Sequence, residues 1–192
     1  MAEPRVGPNA ILQTMEALTE LGGMDLTRRV FSAAGLLPLL EAPPSEMVPE
    51  VWASDLHRTI TTELPAVEAA RVAADGGHRT GFYILENRIP AVARTLLQLL
   101  PGSVAGSILL RAIERHAWTF AGSAEVAIEI GTPMYFFIYD NPLAIPGCPW
   151  HCAVFETLFR RLVSPHTRVA HTCCCANGAD ACVFEIDIRR GA

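Results

Sequence analysis

The chain has 192 residues, which suits one domain with a substantial buried core. Hydrophobic residues make up 51% and charged residues 18%, and the mean hydropathy of +0.28 favours an apolar cavity or an adhesive surface. The net charge of −5 argues against nucleic-acid binding. All fifteen basic residues are arginines, which excludes lysine Schiff-base chemistry and a Walker-type phosphate lysine.

Helical periodicity dominates the first two-thirds of the chain, where glycine and proline mark the breaks between segments. The predicted helices cover residues 11–21, 26–37, 51–63, 65–74, 80–89, 90–100 and 107–121. In the last of these, Leu109, Ile113, His116 and Phe120 fall on one apolar stripe, and Gly122 is its expected end.

The periodicity then changes to two over 125–130, which predicts a strand, and the run MYFFIY over 134–139 predicts a second strand that is apolar on both faces. A helix follows over 149–163, and strands over 167–175 and 182–188 flank Asn177-Gly178, a strong hairpin signal. This order predicts an α+β fold in which N-terminal helices pack on a mostly antiparallel sheet of about four strands with an inserted helix. We expect a helical extension over 1–46 and a ligand-binding domain over 47–192, together forming one compact unit.

The segment HTCCCANGADACVFEI holds four of the six cysteines. A hairpin at Asn177 would place Cys174 opposite Cys182, so that two thiolates could share a zinc ion, with Cys152 and His171 completing the ligand set. In an ideal strand His171 and Cys174 face opposite ways, which requires either a bulge or replacement by Cys173 or Cys175. Burial of the thiols as ordinary core residues is the alternative. Cys148, near a helix N-terminus, is either a reactive thiol or a loop residue without a role.

The spacing of Cys152, His171, Cys174 and Cys182, with Gly178 and Asp180 in the last gap, resembles the 4-vinyl reductase domain family. That family consists of α+β small-molecule-binding domains, some of which are sensors in aromatic-responsive transcription activators. The resemblance implies a zinc ion beside an aromatic-effector pocket. In the sensors a glutamate precedes the second cysteine, and here His171 stands in its place.

Three longer segments are similar to the J-protein family of bacteriochlorophyll biosynthesis, over most of the chain from about Met47 onward. They read HRTGFYILENRIPAVARTLLQLLP, RHAWTFAGSA and CPWHCAVFETLFRRLV. The similarity implies work on a magnesium tetrapyrrole, and the family name implies reduction of the 8-vinyl group of a divinyl precursor. However, we find no G-x-G-x-x-G after a strand and no other NAD(P) or flavin motif, which favours binding over catalysis.

A flat apolar pigment needs an apolar cleft, which we expect between the helical layer and the sheet. His116 is a candidate axial ligand to magnesium, although a core histidine bonded to a carbonyl is the commoner role, and His151 is the alternative ligand. The candidate ligand-binding residues are His116, Trp118, Phe120, Phe137, Tyr139 and His151.

Three functions remain open. The protein could be an accessory that delivers a divinyl protochlorophyllide-type precursor to the 8-vinyl reduction step, the 8-vinyl reductase itself, or a ligand-sensing scaffold for another bacteriochlorophyll-biosynthesis enzyme. The N-terminus has no secretion signal, and the uncharged stretch from Arg94 to Arg111 is too short to span a bilayer. We therefore expect a cytoplasmic protein, with a position at the edge of the photosynthetic membrane left open.

Overall fold

The computed structural model describes residues 3–188, most of which are helical. Within this range the helices are α1 (Asn9–Ala33), α2 (Glu50–Glu63), α3 (Ala66–Asn87), α4 (Ala91–Leu99), α5 (Gly102–Arg115) and α6 (Pro149–Leu162). Helix α1 is kinked at Gly22 and Gly23, where the backbone is not helical, between the two predicted helices 11–21 and 26–37. Prolines 49, 65, 90 and 101 each precede a helix, because a fixed φ is suited to the point where a helix begins. No helix in residues 3–188 has the length and apolar character needed to cross a bilayer.

The strands form two antiparallel sheets. The small sheet pairs β1 (Arg5–Val6) with β2 (Val48–Pro49). The larger sheet has the order β3-β4-β6-β5, built from β3 (Val126–Glu129), β4 (Met134–Tyr139), β5 (Arg168–Cys173) and β6 (Ala181–Asp187). Helix α6 lies in sequence between β4 and β5. The predicted α+β fold, with helices on a four-stranded antiparallel sheet and an inserted helix, is therefore confirmed.

The core lies between the larger sheet and the helices. Strand residues alternate between faces, so that Phe136, Ile138 and Phe184 point inward and are fully buried. Phe155 and Phe159 of α6 are buried with them. Helix α3 packs against both α6 and α1, which places α6 between the sheet and the remaining helices.

The predicted helix break at Gly76-Gly77 is wrong, because α3 continues through both glycines. The reason is close packing. A Cβ atom on Gly77 would overlap the backbone carbonyl of Trp150, and one on Gly76 would lie 2.9 Å from the hydroxyl of Thr14. These glycines let neighbouring helices approach, which the sequence pattern cannot distinguish from a helix end.

Other differences are shifts of boundaries. Helix α5 begins at Gly102 and ends at Arg115, before the predicted end at 121, and a short 3₁₀ turn covers 117–119. The pair β1–β2 was not predicted, since two-residue strands carry no periodicity. It joins residues on both sides of the predicted domain boundary near Met47, and that boundary stays a prediction.

Candidate metal centre and ligand surface

Four side chains converge at the inner edge of the larger sheet. They are Cys148, His171, Cys174 and Cys182, and one ligand atom from each lies within 4.8 Å of the others. Three of them are buried, and His171 is half-buried. We call this group the thiol cluster.

The backbone before α6 places Cys148 in the thiol cluster. Gly147 and Cys148 both adopt left-handed conformations, with φ of 78° and 40°, and Pro149 then begins the helix. A non-glycine residue in this region is strained, so the surrounding contacts must hold it there. The Cys148 amide donates to the carbonyl of Ile145 at 2.8 Å, which closes the turn.

A bulge in β5 resolves the conflict between His171 and Cys174. His171 pairs with Phe184, but Cys173 pairs with Val183, so the register shifts between the two positions. A bulge re-aims the side chains beyond it. Cys174 leaves the strand just after the bulge, and its buried thiol lies 3.9 Å from that of Cys148. His171 and Cys174 therefore reach the same cluster from positions that an ideal strand would separate.

The sulfur separations fit a tetrahedral metal ion. The Sγ atom of Cys148 lies 3.5 Å from that of Cys182 and 3.9 Å from that of Cys174. Zinc–sulfur bonds of about 2.3 Å at tetrahedral angles put two sulfurs about 3.8 Å apart. His171 adds a buried Nε2 atom without a hydrogen-bond partner, and its ring stacks on Phe184 with centroids 5.0 Å apart. Three thiols and one imidazole form a complete zinc set with no position left for a substrate.

Electrostatics favour one thiolate within the group. A hydrogen bond from Cys148 lowers the pKa of the Cys182 thiol, against an opposing effect of burial, and His171 lowers it further. The pKa of Cys148 is raised, first by that hydrogen bond and then by burial. The Cys175 amide also points to the Cys182 sulfur, at 3.4 Å. Cys182 therefore ionises more readily than Cys148, and a bound cation would favour the thiolate form of its ligands.

The structure differs from the predicted ligand set at Cys152. This residue lies one turn into α6, outside the thiol cluster, with its sulfur 4.0 Å from the carbonyl of Gly147. Burial raises the pKa of the Cys152 thiol to about 12, with a smaller contribution from Glu156. Cys148 takes its place in the cluster, because the thiols of the hairpin meet the beginning of α6 and not its second turn.

The predicted apolar cleft between the helices and the sheet is filled by side chains. Phe120, Phe155 and Phe136 form an aromatic group with centroids 5.2 to 6.0 Å apart. His151 is buried against this group, and burial lowers its pKa to about 3. Phe120 and His151 thus belong to the core, and the expectation of a cleft at this place is wrong.

His116 and Trp118 lie apart from these two residues. Helix α5 ends before His116, which is exposed, and its Nδ1 lies 2.8 Å from the carbonyl of Ala112. The predicted inward stripe therefore stops at Ile113. Trp118 is 57% exposed. The six candidate ligand-binding residues do not form one site.

Phe137 and Tyr139 lie on the outer face of the larger sheet. Their rings are stacked, with centroids 6.3 Å apart and planes 13° from parallel. Tyr135 extends the row, with its centroid 6.3 Å from that of Phe137. We call these three residues the aromatic row. The sequence analysis missed Tyr135, although the alternation in MYFFIY places it on the same face as the other two.

Sequence comparison finds two curated relatives. The chain is 44% identical over 188 residues to the "Bacteriochlorophyll synthase 23 kDa chain" of Cereibacter sphaeroides, covering 95% of this chain and 90% of that protein. It is 39% identical over 194 residues to the protein of the same name from Rhodobacter capsulatus, covering 96% and 87%. The predicted resemblance to the J-protein family is confirmed.

Comparison with solved structures supports the fold alone. The crystal structure of an H-NOX protein from S. oneidensis in the Fe(II)NO ligation state matches with a TM-score of 0.55. Sequence identity is 11%, and the match covers 96% of this chain and 100% of that one. No family model matches the chain, and the presence of a 4-vinyl reductase domain stays a prediction.

Proposed function

The chain belongs to the family of the bacteriochlorophyll synthase 23 kDa chains, and we propose that it binds a magnesium tetrapyrrole for bacteriochlorophyll biosynthesis. Its role is that of an accessory, which holds a divinyl protochlorophyllide-type precursor and presents it to the enzyme of the 8-vinyl reduction step. The names of the relatives support the pathway. The cytoplasmic location predicted from the sequence, for which a position at the edge of the photosynthetic membrane is left open, belongs to the same proposal, and we include that position in it.

The aromatic row is the observation that carries this proposal. Phe137 is half-buried and Tyr139 is 38% exposed, so the row is accessible on a side of the sheet where the described helices do not pack. The cross-strand neighbours of Phe137 are Ala127 and Val183, whose side chains are smaller than the rings of the row. A flat macrocycle gains stacking energy and apolar burial on such a surface.

Carboxylates at one end of the aromatic row could supply oxygen ligands to magnesium. Glu129 and Glu185 are the cross-strand neighbours of Tyr135, and the Tyr135 hydroxyl donates to Glu185 Oε2 at 3.2 Å. Carboxylate oxygens are ligands that magnesium prefers. One of these carboxylates is therefore our candidate for the axial ligand of a bound magnesium tetrapyrrole.

The second part of the proposal is a structural zinc ion in the thiol cluster. All four ligands come from the chain, which is typical of zinc sites that stabilise a fold and differs from catalytic sites, where water or substrate occupies one position. The ion would join the beginning of α6 to β5 and to the β5–β6 hairpin. Metal analysis of the purified protein tests it, with one zinc per chain as the expected result.

The test of pigment binding is an absorbance titration of the purified protein with divinyl protochlorophyllide, followed in the Soret band. We expect saturable binding to the wild type and a Kd at least about tenfold higher for the double variant Phe137→Ala, Tyr139→Ala, which loses two stacking rings. The control is Phe82→Ala, Tyr83→Ala, which removes the same ring types from α3. Its Kd should stay within about twofold of the wild-type value.

The same titration with NADPH distinguishes the accessory from the reductase. We expect the divinyl pigment to remain unchanged and NADPH not to be consumed. Formation of the monovinyl pigment by the purified protein would overturn the accessory role. A wild-type protein that does not bind the pigment, or equal Kd values for the two double variants, would overturn binding at the aromatic row.

A further inference from the structure

Two consecutive helices expose apolar side chains in regular stripes. On α4, Val92, Leu96 and Leu99 lie one turn apart, and only Leu97 of this helix is buried. Leu100 leads into α5, where Val104 and Ile108 continue at the same spacing. We call these six residues the α4–α5 surface, and each is between 39% and 76% exposed. Because a stripe at helical spacing normally faces a core, its exposure indicates a binding surface.

The segment that carries the α4–α5 surface is positively charged, and the first acidic residue of α5 is Glu114, in its last turn. Residues 87–113 contain Arg88, Arg94 and Arg111 but no aspartate or glutamate, although the net charge of the chain is −5. Among residues 3–188, Arg94 and Arg111 form no ion pair. Arg88 lies over the ring of Tyr83, at 5.9 Å from its centroid. This part of the protein is therefore apolar and positively charged, whereas the whole chain is acidic.

We propose that the α4–α5 surface docks on an anionic lipid bilayer. Apolar side chains of short amphipathic helices enter the boundary between headgroups and acyl chains, while arginines at their edge bind lipid phosphates. The charge pattern favours lipid over a protein groove, because anionic headgroups complement arginines that have no acidic partner. The acidic remainder of the chain would be repelled by the same headgroups, which fixes the orientation of the bound protein.

This inference deepens the proposed location at a membrane and does not depend on pigment binding. A position at a bilayer suits the delivery of a pigment precursor, since a precursor with an apolar macrocycle partitions into lipid. The α4–α5 surface lies on different elements from the aromatic row, so each can be altered without changing the other. Pigment-free protein therefore tests membrane docking alone.

The experiment is flotation of the pigment-free protein with vesicles of phosphatidylcholine, or of phosphatidylcholine with one-third phosphatidylglycerol. We expect the wild type to bind the anionic vesicles at least about tenfold more strongly than the neutral ones, and to release as salt is raised. The double variant Leu96→Glu, Leu99→Glu should lose at least about tenfold in partitioning to anionic vesicles, because two buried apolar contacts become charges. Arg94→Gln with Arg111→Gln should reduce the preference for anionic lipid.

The matched control is Val51→Glu with Val67→Glu, which adds the same charges at exposed apolar positions on α2 and α3. It should float like the wild type apart from a small charge effect, and circular dichroism should show both double variants folded. Absence of wild-type flotation, or equal losses in the two double variants, would overturn the proposal. A wild-type dimer that Leu96→Glu, Leu99→Glu converts to a monomer, without flotation of either, would assign the surface to a second copy of the chain instead.

Discussion

The two faces of the larger sheet use the same strands for opposite purposes. On the inner face Phe136, Cys182 and Phe184 are fully buried, and the thiol cluster forms at its edge. On the outer face, Phe137 is half-buried and Tyr139 is exposed, although both residues are neighbours of inner-face residues in β4. The difference teaches that apolar character alone does not locate a binding surface. Whether an apolar face is core or is free to bind depends on whether another helix or strand covers it.

The largest expected effect compares one phenylalanine on each face. Phe184→Ala leaves a cavity among buried rings and should lower the free energy of unfolding by about 4 kcal/mol. Phe137→Ala removes a half-buried ring whose neighbours can relax, and should cost less than about 1.5 kcal/mol. Urea denaturation followed by circular dichroism measures both. Similar losses for the two variants would show that the outer face is also covered.

The thiol cluster gives the next prediction, which concerns the edge of the inner face. Cys148→Ser should abolish stoichiometric zinc binding, and with free zinc at a hundred times the wild-type Kd it should remove about 2.7 kcal/mol of stability. Cys152→Ser, one helical turn away, should keep both the stoichiometric zinc binding and the stability that zinc provides. Elemental analysis and thermal unfolding with and without chelator measure these quantities. Zinc loss in Cys152→Ser with retention in Cys148→Ser would restore the ligand set predicted from the sequence.

The smallest effect is the pH dependence of the free energy of unfolding that comes from two buried histidines behind the sheet. Burial lowers the pKa of His57 to about 4 and that of His151 to about 3, so both are neutral in the folded protein. The unfolded chain takes up these protons below about pH 6.5, and the contribution to stability is fully present above that pH. Between pH 6.5 and 5 each histidine should cost about 1.4 kcal/mol per pH unit, so a variant that lacks one of them should differ from the wild type by about 2 kcal/mol at pH 5.

The measurement is urea denaturation between pH 7.5 and 5 with zinc in excess, comparing the wild type with His57→Gln. The variant should show the shallower loss, since only His151 then titrates in the interior. Any effect of acid on the thiol cluster is common to both proteins and cancels in the comparison. Equal slopes would mean that His57 is accessible to solvent, and that the interior is open in a way that its packing does not suggest.

The sequence predicted the sheet well because its signals are local. The alternation in EVAIEI, the apolar run that forms β4 and the Asn177-Gly178 turn are each contained in a few residues, and the structure has strands β3 and β4 and a turn at these places. It also predicted three members of the thiol cluster, and it offered a bulge as one of two ways to bring His171 and Cys174 together. These inferences used only backbone geometry and spacing along one hairpin.

The remaining differences come from tertiary contacts. Gly77 looks like a helix end in sequence but is a packing position, and this depends on the approach of α6. Cys148 rather than Cys152 joins the cluster because the chain turns in the left-handed region just before α6. The adjacent proline was the available signal, since Cys148-Pro149 marks the beginning of a helix. The filled cleft could not be foreseen, because sequence patterns show which residues are apolar but not whether they meet.

Helix α3 affects the geometry of the thiol cluster through the close contact of Gly77 with α6. The carbonyl that a side chain at this position would displace belongs to Trp150, two residues after Cys148. A methyl group at position 77 would therefore displace the first turn of α6, and the Cys148 sulfur just before that turn would shift relative to the other two sulfurs. The spacing that suits a metal ion thus depends on a residue with no side chain, on a helix that contributes no ligand.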